Sequence, residues 1–103
     1  MEKLIDETVE IARQHFKGFG FEDEQIISLL EAGRRDLTKE LNKLRTLLER
    51  EPIEIDVVNL SLHALKGLLL NMGNIMAADK LVDLRQESGD ARIISEIKSL
   101  LGV

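Results

Sequence analysis

The chain has 103 residues, 44% of them hydrophobic and 32% charged, with a formal net charge of −5. That is the length of one domain with apolar content for a single modest core, which excludes a disordered chain. The absence of cysteine excludes a disulfide scaffold and thiolate metal sites, and an acidic balance with no basic cluster beyond Arg34-Arg35 argues against nucleic acid and anionic membranes as partners.

Residues 1–103 are therefore read as one domain. Only three residues are aromatic, all Phe, and the single proline is Pro52, so leucine and isoleucine must build the core. That favours helices. The first is expected from Glu2 to about Phe16, because Ile5, Val9, Ala12 and Phe16 recur at spacings of four and three. Glu2, Asp6 and Glu7 suit its positive end, and Gly18-Phe19-Gly20 offers the turn that stops it.

A long second helix is expected from about Asp23 to Glu49. Its stripe is Ile26, Leu30, Gly33, Leu37, Leu41, Leu44 and Leu48, and Glu22, Asp23 and Glu24 stand at its start. Pro52 ends it. The third helix, about Asp56 to Met72, is closed by Gly73-Asn74, both tolerant of left-handed backbone. A fourth runs from about Ile75 to Glu87 with Ile75, Ala78, Leu81 and Val82 on one face. Gly89 breaks it, and Asp90 could cap a last short helix with the stripe Ile93, Ile94, Ile97 and Leu101.

No segment alternates with period two for long enough to be a strand; Ile53-Glu54-Ile55-Asp56 is too short to pair. The expected architecture is all-α, an antiparallel four-helix bundle with the N-terminal helix packed across it. The heptad-like second helix also invites a coiled-coil dimer, but a bundle helix uses the same packing inside one domain, so a monomer is preferred. No signal peptide is expected from Met-Glu-Lys-Leu-Ile-Asp-Glu, and no apolar run approaches the ~20 residues that span a bilayer. A cytoplasmic location is the expectation.

The chemistry-bearing stretch is Asn59 to Asn74, with His63 at its centre. At ~100° per residue, Leu65, Leu68 and Met72 fall opposite His63, with Val57, Val58, Leu62 and Leu69 widening that arc. Leu60, Lys66, Gly67 and Leu70 lie on the histidine's side. The histidine is therefore expected to point out. Residues three and four further along lean back over position 63. Lys66 supplies an ammonium there, and Gly67 leaves the space above the ring empty. A glycine inside a helix costs ~1 kcal/mol relative to alanine and calls for a reason. A group bulkier than water on the imidazole is one, and the lysine suggests an anion. An incidental surface histidine satisfies the same geometry.

His63-Ala64-Leu65-Lys66-Gly67, with Asn71, Met72 and Gly73 following, resembles the histidine-containing phosphotransfer (HPt) domains of two-component phosphorelays. The resemblance implies that His63 carries a phosphoryl group, that Lys66 balances its charge and that Gly67 makes room for it. Leu68 and Leu69 depart from the small residues more usual in that family, and Leu70 is larger than usual on the working face. By resemblance, the ring's Nε2 would attack a receiver-domain phosphoaspartate in line. The receiver would bring the Mg²⁺ and the acidic pocket, and the domain would shuttle phosphate between receivers or between a histidine kinase and a receiver. It would need no cofactor of its own. Leu60 and Leu70 are expected to be docking residues.

Other constellations are weaker. His15-Phe16-Lys17-Gly18 imitates the motif, but Lys17 is two residues on and off the same face. Neither histidine has glutamate three residues before it, so a metal site is not expected. There is no phosphate-cradling glycine loop of the nucleotide-binding kinds. Ser28, Ser61, Ser88, Ser95 and Ser99 show no base placed for a nucleophilic triad. Two rivals to the carrier remain: a helical docking module without phosphorylation, and a structural domain that dimerises through the stripe of the second helix.

Overall fold

The computed structural model of the chain describes residues 2–86 and 91–102, and their side chains apart from those of 84–86 and 91–93. Five helices account for nearly all of it: α1 Glu2–Gly18, α2 Asp23–Leu48, α3 Ile55–Asn71, α4 Ile75–Gln86 and α5 Ala91–Leu101. No strand occurs among the described residues. The expected break at Gly89 and cap at Asp90 lie outside them, as does the side chain of Ile93.

α1 runs two residues past the expected end, through Gly18. The turn is made instead by Gly20, at φ +80°, with the Phe19 and Gly20 amides donating to the Phe16 and Lys17 carbonyls. At the start of α2 the Glu22 amide donates to Gln25 Oε1 at 3.0 Å, satisfying one of the exposed donors there. α2 closes at Leu48, four residues ahead of Pro52, where the Glu49 amide turns back to the Thr46 carbonyl. Ile53, within the one candidate strand, packs against the core.

The core is built almost wholly of aliphatic residues, as the composition requires. Leu37, Leu41 and Leu44 of α2 meet Leu62, Leu65 and Leu69 of α3, with Leu81 of α4 and Ile97 and Leu101 of α5, all essentially solvent-free. α3 runs back along α2. Ser61 Oγ donates to Glu40 Oε1 at 2.8 Å, and further along, Met72 lies over Gly33. A Cβ on Gly33 would stand 2.7 Å from Met72 Cε, so the end of the methionine side chain fills the space this glycine leaves. α1 lies against α2, where Arg34 reaches Asp6 at 3.0 Å; both ends are half-exposed, so the pair adds little stability.

The α3–α4 connection takes three residues. The Gly73 amide donates to the Leu70 carbonyl and the Asn74 amide to the Leu69 carbonyl, the paired bonds of a Schellman closure, with Gly73 at φ +83°. Asn74 is not left-handed as the sequence suggested. It is buried, its Nδ2 donates to Thr8 Oγ1 of α1 at 2.8 Å, and its Oδ1 accepts from the Ala77 amide at 3.3 Å, capping α4. Of the face expected for α4, Ala78 and Leu81 turn inward with Val82 half-buried, and Ile75 alone departs. Ala77, Ala78 and Leu81 are buried, whereas Ile75, expected inside, stands exposed beside Met76.

Gly73 also has a neighbour. A Cβ on it would lie 2.6 Å from Cγ of His15, whose ring covers the turn. Gly73→Ala is therefore expected to destabilise the protein by about 2 kcal/mol or more in urea unfolding, combining left-handed strain of ~1–2 kcal/mol with the displaced ring. Adding His15→Ala should recover only the ring's share of the steric loss, because the alanine keeps the Cβ that stands 2.9 Å from the added methyl.

Candidate functional site

On α3 the buried residues are Val58, Ser61, Leu62, Leu65 and Leu69, with Met72 just past its end. Val57 and Leu68 are half-buried at the edge of that arc. The opposite face is a continuous exposed stripe: Asp56, Leu60, His63, Ala64, Gly67, Leu70 and Asn71. Leu65, Leu62 and Leu69, buried on α2 and α4, fix the rotation of α3, and the rotation turns His63 to solvent. Lys66, one turn after His63, is half-buried on the shoulder of the stripe and has no ion pair among the described residues. Leu60 is 70% exposed and Leu70 40%, on either side of the histidine.

Gly67 differs from the two glycines that the packing explains. Gly33 yields to Met72 and Gly73 to His15, but a Cβ at Gly67 would meet nothing within 4 Å. Its backbone is helical, with no positive φ. Nothing among the described residues requires glycine there, although it weakens the helix. Its vacancy lies one turn beyond His63, on the same exposed face.

The structure also brings together residues that the sequence reading left apart. A shallow depression of about 400 Å³ beside His63 is lined by Asp56, Asn59 and Leu60, at the spacing of one helix face. At the far end of α3, His15 stands edge-on to Phe19 at 4.8 Å, and Phe19 and Phe21 lie 6.2 Å apart. All three aromatic residues of the chain thus meet at one corner, with Phe19 and Phe21 exposed. Three phenylalanines within six residues were the available signal; their exposure was not. His15 is part of this packing and not of the His63 face.

The other candidates resolve simply. Ser61 is buried against Glu40, Arg34 pairs with Asp6, and Arg35 lies 3.7 Å from Asp36. Among the described residues no group of three or more His, Cys, Asp or Glu side chains could hold a metal ion, and no helix is long and apolar enough to cross a membrane. The chain matches no family model, no curated protein and no solved structure.

Proposed function

We propose that this protein is a histidine phosphotransfer domain, carrying a phosphoryl group on His63 between the aspartate of a receiver domain and a second receiver or a histidine kinase. The observation that carries the reading is Gly67: a helix-weakening residue, explained by no contact among the described residues, opening space one turn from an exposed imidazole. The resemblance of His63 to Gly67 and of Asn71 to Gly73 supports it. Gly73 supports it less than its place in the motif suggests, because the turn and His15 already account for that glycine.

In the same reading α2 to α5 form the antiparallel four-helix bundle, with α1 laid across it. The short α3–α4 turn makes those helices antiparallel neighbours, and α5 touches both α4 and α2. The bundle's task is to hold the ring outward and rigid. An imidazole in water is largely neutral at pH 7 and offers a nitrogen lone pair. Nε2 of His63 attacks the phosphorus of the receiver's aspartyl phosphate. The P–N bond forms as the P–O bond breaks, the electron pair leaves with the aspartate carboxylate, and the Nδ1 proton passes to water. Lys66 offsets charge on the phosphoryl oxygens and Gly67 admits them. The receiver contributes the Mg²⁺. The step reverses, so the domain is a carrier, not an enzyme with turnover of its own.

Leu60 and Leu70 flank the ring as docking contacts, and through Gly73 and His15 the turn after Leu70 leads to Phe19. The dimerising alternative has less to stand on, since the stripe of α2 is already buried within the chain.

Substitutions at Gly67 test the reading. Gly67→Ala should raise stability by about 0.5–1 kcal/mol, seen as a melting point several degrees higher, because the methyl meets open space. Gly67→Leu should keep that fold yet slow transfer from a phosphorylated receiver at least tenfold. Wild-type transfer in Gly67→Leu would remove the steric argument.

A further inference from the structure

We propose that the depression on the N-terminal side of His63 is a specificity pocket for one basic side chain of the docking receiver, its aliphatic stem on Leu60 and its cation on the Asp56 carboxylate. The inference rests on the carrier reading and adds to it the chemistry and orientation of the partner. The depression is lined by Asp56, Asn59, Leu60 and His63, and Asp56 is its one acidic group. Leu60 is among the most exposed apolar side chains of the chain. An apolar partner side chain would cover Leu60 but desolvate Asp56 without a counter-charge, which is costly. An acidic one would be repelled. Lysine or arginine answers both features, because their stems pack on apolar surface while the head stays polar.

Position also matters. Asp56 precedes His63 by seven residues, or ~10 Å along the helix, whereas Lys66 follows it by three. Charge therefore runs from Asp56 on the exposed stripe to Lys66 on its shoulder, negative to positive across the reactive ring. A receiver bringing an anionic phosphoaspartate to His63 and a cation to Asp56 can dock in one direction only. Charge placed this way governs encounter rate and register more than total affinity.

The test uses the full chain and a phosphorylated receiver whose docking face carries a lysine or arginine about 10 Å from its phosphoaspartate, the spacing set by the helix rise. Asp56→Lys should lower the second-order rate of transfer at least tenfold at low salt, and Asp56→Asn, which perturbs the start of α3 less, about threefold. Both deficits should shrink at high salt, where exposed charges are screened. Replacing the receiver's basic residue by glutamate should restore transfer to Asp56→Lys. Phosphoramidate, a small donor that needs no docking, should label His63 equally in wild type and both variants. Unchanged receiver transfer in Asp56→Lys, with phosphoramidate labelling intact, would overturn the pocket alone. A wild-type chain that neither donor labels at His63 would overturn the carrier reading and the pocket with it.

Discussion

His63→Gln should abolish phosphoryl transfer from a phosphorylated receiver while leaving the helical content and melting point near wild type. Glutamine keeps a polar side chain of similar reach but has no basic ring nitrogen to form a P–N bond, so the expected loss is complete. The fold should tolerate it because His63 is exposed and lies opposite the packed arc of Leu62, Leu65 and Leu69. His15→Gln provides the contrast. It should transfer normally but lose stability, since the His15 ring packs over Gly73 and against Phe19. Circular dichroism and transfer assays on the pair separate chemistry from packing.

The second large effect is on stability. Leu65→Ser removes a side chain with no solvent exposure from the centre of the bundle. Truncating a buried leucine costs ~2–5 kcal/mol, and the serine hydroxyl arrives in an apolar site. A small domain holds only ~5–15 kcal/mol in total, so a large part of its stability should go. Leu60→Ser and Leu70→Ser, on the exposed stripe, should each cost within about 1 kcal/mol. They should instead weaken receiver binding by about tenfold, the affinity lost when a docked leucine is removed. Denaturant unfolding and receiver titration of the three variants should thus sort in opposite orders. A large stability loss in Leu70→Ser with receiver affinity unchanged would place that face inside the fold.

The parts of the fold that were legible are those where a periodic stripe leaves one solution. The stripes of α2 and α3 set their extents to within about two residues and turn His63 outward. Exposure at Leu60, Gly67 and Leu70 followed from the same wheel. On α4 the inward turn of Ala78 and Leu81 was legible but the exposure of Ile75 was not, because Ile75, Met76, Ala77 and Ala78 are apolar in succession and a period alone does not choose among them. The start of that helix is also held by Asn74 reaching Thr8, 66 residues away in sequence, a contact that no local pattern encodes. The glycines show the same division. Sequence marks Gly67 as unusual and Gly73 as a turn residue, and only the packing tells that Gly33 and Gly73 also answer to a neighbour.

The measurement closest to the central claim is the site and chemistry of the label after incubation with a phosphorylated receiver. Peptide mapping of the intact chain should place one phosphoryl group on the segment containing His63, lost in acid and retained in base, as a P–N bond requires. Label on His15, an acid-stable phosphoester on a serine, or no label at any receiver concentration would contradict the account.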